Sequence, residues 1–144
     1  MHTRIPGFPL KRAAQIALTI YAVLAVLHVA VLIGIALFDL APTEWLRGGR
    51  LETADQLFAF EIVSVGTLLV CAAVAVIRGG PMYQLKLPGK AAGWQLAARV
   101  FAGLLCAMFL LNTLGNLIAS SLFEQLMSAV TIVLAFLNLR MALR

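Results

Sequence analysis

Long apolar stretches separated by short polar segments dominate this chain. A helix needs about 20 predominantly apolar residues to cross a hydrocarbon layer about 30 Å thick. Four stretches meet that length, and they cover approximately residues 14–38, 57–77, 96–119 and 122–139. The pattern therefore predicts an all-α polytopic membrane protein, with one domain that is a bundle of four transmembrane helices.

The polar segments between the spans define the expected topology. Residues 1–12 form a leader, 39–56 an outer loop and 78–95 a cytoplasmic loop. Only a short turn at Ser120 and Ser121 separates the last two spans, so these helices must be antiparallel neighbours. We therefore expect an antiparallel four-helix bundle.

The beginning of the second span carries a helix-start signal. Thr53 is followed three residues later by Gln56, a spacing that resembles a capping box. In that motif the threonine side chain accepts a hydrogen bond from a free backbone N–H of the first turn. The second helix is therefore expected to begin close to Thr53.

Composition supports a membrane protein and excludes several other classes. Of 144 residues, 62% are apolar and 12% are charged, and there are two cysteines. A soluble domain has about half of its residues apolar and about a quarter charged. The composition thus excludes a disordered chain, a disulfide-rich scaffold and an ordinary soluble enzyme.

Basic residues are concentrated on one side of the predicted bundle. Nine of the eleven lysines and arginines lie before the first span, around the second connection or after the last span: Arg4, Lys11, Arg12, Arg78, Lys86, Lys90, Arg99, Arg140 and Arg144. The positive-inside rule then predicts that both termini are cytoplasmic, in the cell inner membrane. The net charge of +5 is explained by anchors for anionic lipid headgroups, so the bilayer is the expected partner and nucleic acid is not.

Strongly polar residues inside the spans define a candidate polar pocket. They are Glu61, Asn112, Asn116, Glu124 and His28. Because a polar side chain is costly inside a membrane, a functional interpretation is a pocket that binds a proton or a cation. The structural alternative is that the two glutamates favour helix N-termini and that the asparagines, which share a helix face, form interhelical hydrogen bonds.

His28 is the only histidine within a span. Residue counting places it near the middle of the membrane and several ångströms deeper than Glu61, which leaves direct contact between the two an open question. One interpretation is a neutral core histidine with a single hydrogen bond. The other is a proton relay, because an imidazole gains and loses a proton near physiological pH.

Small residues on the third span form a candidate helix-packing face. They are Ala98, Ala102, Gly103, Cys106 and Ala107. Small side chains let membrane helices approach closely. This face is expected to contact another helix, either within the chain or in a homo-oligomer.

Spans two and four begin alike. Phe60-Glu61 opens one and Phe123-Glu124 opens the other, and in each a serine and then a threonine follow. The likeness predicts a repeat of two helices, related by an axis along the membrane normal. The alternative is convergence, because apolar helices resemble one another by chance.

Motifs for catalysis and cofactor binding are absent from the sequence. We find no C-x-x-C, H-E-x-x-H, Walker A, G-x-S-x-G or G-x-G-x-x-G motif and no cluster of metal ligands, so we expect no enzyme, cofactor or metal. We predict a small non-catalytic inner-membrane protein that acts through helix–helix contacts, as an accessory or assembly subunit or as a homo-oligomer. The alternative is an oligomeric transporter or channel for a small cation or metabolite that uses Glu61.

Overall fold

All secondary structure in the described part of the chain is helical. The computed structural model describes residues 9–38, 51, 53–79 and 90–143. Its helices are α1 (Leu10–Phe38), α2 (Ala54–Gly79), α3 (Lys90–Leu117) and α4 (Leu122–Leu143). All four are long and apolar enough to cross a membrane, which confirms the prediction of four long apolar helices and agrees with a multi-pass membrane protein. Most of the predicted leader and of both long loops lies outside the described residues.

The helices extend beyond the apolar stretches that predicted them. Helix α1 begins at Leu10, inside the predicted leader, and α3 begins at Lys90, inside the predicted cytoplasmic loop. Hydropathy marks the part of a helix that lies in hydrocarbon, whereas a helical backbone can continue through the headgroup region. The sequence therefore located the spans better than the helix ends.

Side-chain caps fix the starts of α2 and α4. The backbone N–H of Gln56 donates to Oγ1 of Thr53 at 3.2 Å, the cap that the sequence predicts. At the start of α4, the N–H of Glu124 donates to Oγ of Ser121 at 3.2 Å, and the serine hydroxyl donates to the Glu124 carboxylate at 3.3 Å. Each cap gives an otherwise free N–H of the first turn a partner, so both helices have defined beginnings.

The four helices pack as two pairs. Helix α1 packs mainly against α2, and α3 packs mainly against α4, while the α1–α4 and α2–α3 interfaces are smaller. The buried face of α1 is thin near the start of the helix, because its side chains there are the alanines Ala13, Ala14 and Ala17. There α1 meets α2 so closely that a Cβ on Gly79 would overlap the Cβ of Ala14 and lie 3.5 Å from its Cα.

An apolar core lies between the two pairs. The rings of Tyr21 and Phe109 stack across it, with centroids 6.1 Å apart and planes inclined by 17°. Both cysteines, Cys71 and Cys106, are buried here as free thiols. Buried free cysteines pack as small apolar side chains, which agrees with their position in the core.

Two apolar grooves open along the smaller interfaces. The larger, about 440 Å³, lies between α1 and α4, and its walls include Val23, Leu27 and Val133. The smaller, about 230 Å³, lies between α2 and α3, where Val70 faces Trp94. The two smaller interfaces, α1–α4 and α2–α3, are therefore less tightly packed than the interfaces within each pair.

Candidate functional site

A histidine–glutamate pair joins α1 to α2 within the membrane-spanning region. Nδ1 of His28 is in hydrogen-bond contact with Oε2 of Glu61. A carboxylate oxygen only accepts hydrogen bonds, so the imidazole Nδ1–H is the donor to a Glu61 carboxylate. Residue counting left this contact open, because it placed His28 several ångströms deeper than Glu61; the structure brings the two side chains together.

The geometry of the two helices explains why these side chains meet. Glu61 lies seven residues after the start of α2, which is about two helical turns. His28 lies about 27 Å along α1 from Leu10, at 1.5 Å per residue. The Glu61 side chain is 7% exposed and that of His28 is 27% exposed, so the carboxylate is the more deeply enclosed partner.

The other three members of the candidate polar pocket lie on the α3–α4 side of the molecule. Asn112 is exposed on α3, Asn116 is partly buried near its end, and the Glu124 carboxylate belongs to the Ser121 cap. None of the described hydrogen bonds joins these three residues to His28 or Glu61. The structure thus brings together two of the five predicted residues.

The candidate helix-packing face of α3 is divided between the core and the surface. Ala98, Ala102 and Cys106 are buried within the chain's own bundle, Gly103 is partly buried, and Ala107 is exposed. A Cβ on Gly103 would stand 3.9 Å from the Cβ of Ala142 in α4, an ordinary van der Waals contact. Most of this face therefore packs within the chain.

A buried arginine links the ends of three helices, and sequence analysis had treated it only as a surface anchor. Arg78 is 1% exposed; its Nε donates to the carbonyl of Met141 at 2.9 Å, and its Nη1 donates to Oε1 of Gln95 at 2.8 Å. Nε2 of Gln95 in turn donates to the carbonyl of Ile77 at 2.8 Å. The position of Arg78 at the end of an apolar run did not distinguish burial from exposure, since arginine is common at both.

A second buried polar contact crosses the bundle from α4 to α1. Nδ2 of Asn138 donates to the hydroxyl of Tyr21 at 2.6 Å and to the carbonyl of Leu134 at 2.8 Å. Asn138 is completely buried, and its Oδ1 has no hydrogen-bond partner among the residues that the structure describes. Asn138 is not among the predicted site residues, although an amide among the apolar residues of span four is a visible signal.

A hydroxyl pair connects α3 with α4. Oγ1 of Thr113 and Oγ1 of Thr131 are 2.9 Å apart, and each hydroxyl also bonds to a carbonyl of its own helix. The buried polar groups of the bundle are thus mostly used in contacts between or within helices. They do not line either of the two grooves.

Neither the metal chemistry of the described residues nor a likeness to known proteins assigns an activity. Among the residues that the structure describes, no group of three or more His, Cys, Asp or Glu side chains is placed to hold a metal ion. No family model, curated protein or solved structure matches the chain. Function must therefore be argued from the geometry alone.

Proposed function

We propose that this chain is a small non-catalytic protein of the inner membrane that acts by binding a transmembrane helix, from a second copy or from a partner subunit. The observation that carries the proposal is an exposed stripe on α2. It is formed by Ala59, Val63, Gly66, Val70 and Ala73, all of which are exposed. We call it the α2 stripe.

The spacing of the α2 stripe is that of a helix–helix contact. Its members follow one another at intervals of four, three, four and three residues, the heptad spacing that keeps one face against a partner helix. Small residues alternate with valine along it. In a membrane, small residues at an interface let two backbones approach and gain van der Waals contact.

Open space around the α2 stripe supports the proposal. A Cβ on Gly66 would meet nothing within 4 Å, so the backbone is accessible there. Val70 and Ala73 also line the 230 Å³ groove with Trp94 and Phe101 of α3. A docked helix would thus contact the stripe along α2 and the groove beside it.

The test is a substitution that blocks close approach without disturbing the chain's own packing. Gly66→Leu places a large side chain in the middle of the α2 stripe, and Ala107→Leu, on an exposed part of α3, is the matched control. The native mass of the tagged protein, purified from its own membranes in mild detergent, is measured for each.

The expected result is an oligomer, or a stoichiometric complex with a foreign subunit, in the unmodified protein and in Ala107→Leu. Gly66→Leu is expected to release the monomer with unchanged helicity. A monomer in all three samples contradicts the proposal, and so does an assembly that Gly66→Leu leaves intact.

The topology that we propose for this function is an antiparallel bundle with both termini in the cytoplasm. The contact of Ala14 with Gly79 supports it, because it joins the start of α1 to the end of α2. The bond from Arg78 to Met141 supports it as well, because it joins the ends of α2 and α4. The basic residues at this end favour the cytoplasmic side.

Transport of a small cation or metabolite is the second candidate, and the His28–Glu61 pair favours it. Ionisable pairs within membrane spans are typical of proton and ion pathways. If Glu61 couples protons to a flux, Glu61→Gln abolishes a pH-dependent uptake into vesicles while the helices remain folded. Uptake that is equal in both proteins contradicts this candidate.

A further inference from the structure

We infer that the groove between α1 and α4 binds one anionic phospholipid, with an acyl chain in the groove and the headgroup at Arg12 and Arg140. The site lies on the opposite side of the bundle from the α2 stripe and is independent of the proposed function. The groove has a volume of about 440 Å³.

The walls of the groove suit a hydrocarbon chain. Eight of its nine lining residues are apolar, among them Val23, Leu27, Val130 and Val133. The exception is Thr19, whose hydroxyl donates to the carbonyl of Gln15 at 3.1 Å and so is already bonded within α1. Nothing in the groove offers a free polar group to a ligand.

Each wall of the groove leads to an arginine at the same end of the bundle. On α1, Arg12 lies four, eight and eleven residues before Ile16, Ile20 and Val23, so these residues share one helix face. On α4, Arg140 lies seven residues after Val133, again on the same face.

The two arginines are at a similar level along the bundle. On α1, Arg12 is two residues before Ala14, which contacts Gly79 of α2. Arg78, the residue before Gly79, bonds to the carbonyl of Met141, which directly follows Arg140. Arg12 itself is exposed. Two guanidinium groups flanking the mouth of an apolar groove are complementary to a phosphodiester with an acyl chain attached.

The dimensions agree with a lipid of the leaflet at that end. Arg12 lies about 10 Å from Thr19 and about 22 Å from Leu27 along α1, at 1.5 Å per residue. One leaflet with its headgroups is about 20–22 Å thick. A phosphate held at Arg12 therefore places the ends of its acyl chains in the groove near the bilayer midplane.

The test measures lipid retention by native mass spectrometry on the full chain in mild detergent, titrated with dioleoylphosphatidylglycerol or dioleoylphosphatidylcholine. Arg12→Gln removes a charge from the groove face. Lys11→Gln is the matched control, because Lys11 has the same charge but lies on the side of α1 that faces α2. The carbonyl oxygen of Lys11 is 3.6 Å from the position that a Cβ on Gly79 would take. Ala129→Phe fills the groove, and Ala107→Phe is its control on α3.

The unmodified protein is expected to retain one phosphatidylglycerol per chain in preference to phosphatidylcholine. Arg12→Gln should lower affinity for phosphatidylglycerol about fivefold, and Arg12→Gln with Arg140→Gln about 25-fold, from the usual contribution of one basic residue at a membrane surface. Ala129→Phe should lower the retention of both lipids. Lys11→Gln and Ala107→Phe should change neither.

Three outcomes overturn the inference. One is equal retention of the two lipids by the unmodified protein, and another is an equal loss in Lys11→Gln and Arg12→Gln. The third is a dimer that Ala129→Phe converts to monomer, which would assign the groove to a second copy of the chain. Arg12→Gln changes an exposed side chain, so the test does not depend on whether Arg140→Gln folds.

Discussion

At the scale of single residues, the polar groups of the bundle tie helices together at defined levels. Arg78 is the clearest case, since it bonds to Met141 of α4 and to Gln95 of α3 while being buried itself. The planar guanidinium holds these two acceptors in fixed directions. Arg78 therefore sets the relative position of three helix ends.

Replacing Arg78 by lysine keeps the positive charge but removes the planar guanidinium that donates to two acceptors in fixed directions. We expect Arg78→Lys to lower the free energy of unfolding by about 1.5–3 kcal/mol, the value of hydrogen bonds to a charged group. The matched control is Arg99→Lys, because Arg99 is exposed and its Nε donates to the carbonyl of Ala142 at 3.3 Å. Reversible unfolding in mixed micelles, followed by circular dichroism, measures both; equal stability of the two variants would show that the buried cluster contributes little.

The two glutamates show which features of single residues the sequence could predict and which it could not. Glu61 and Glu124 stand in similar Phe-Glu pairs, yet Glu61 contacts His28 and Glu124 completes a helix cap. Their difference depends on what faces them from another helix or from the preceding turn. A pattern along one helix contains no information about the register of its neighbour, and so it identified both residues but not their partners.

At the scale of elements, the α1–α2 pair depends on close backbone approach. Gly79 meets Ala14 with no room for a Cβ, whereas Gly66 on the same helix has open space around it. The two positions have the same residue type and helical conformation. They therefore separate the effect of packing from that of helix propensity.

Gly79→Ala is expected to destabilise the protein, and Gly66→Ala to stabilise it slightly. Alanine gains at most about 1 kcal/mol of helix propensity over glycine. At Gly79 this gain is exceeded by an overpacking cost of about 1–3 kcal/mol, because the new methyl group must push α1 away. Thermal unfolding of both variants in detergent tests the difference, and a Gly79→Ala protein as stable as Gly66→Ala would contradict the close approach.

The helices themselves were predictable because the bilayer requires long apolar stretches and a helical backbone. Their ends were predictable only where a cap had a recognisable spacing, as at Thr53. The start of α3 at Lys90 was not, because its first turns combine small and polar residues that hydropathy assigns to a loop. Helix propensity in such a segment is too weak a signal to locate an end.

At the scale of the whole molecule, the described contacts place the start of α1 beside the ends of α2 and α4. Residues near the start of α3 join the same cluster through Gln95. In the proposed antiparallel topology, the starts of α2 and α4 lie at the opposite end of the bundle. The proposed topology therefore assigns each described helix end to one side of the membrane.

Cysteine labelling in intact cells tests this assignment. Asp55→Cys and Ser120→Cys are expected to react with a membrane-impermeant maleimide added outside, whereas Trp94→Cys and Leu143→Cys should react only after permeabilisation. All four positions are exposed. The native Cys71 and Cys106 are buried, so the unmodified protein is the background control. Labelling of all four variants from outside would contradict the proposed topology.

The division of the bundle into two pairs has a consequence for its synthesis. The larger interfaces join helices that are consecutive in the chain, α1 with α2 and α3 with α4. Contacts between near sequence neighbours form fastest, so each pair assembles as a helical hairpin soon after its second helix enters the membrane. The Tyr21–Asn138 and Arg78–Met141 contacts form only when α4 is in place, so the core between the two pairs is completed after both hairpins have formed.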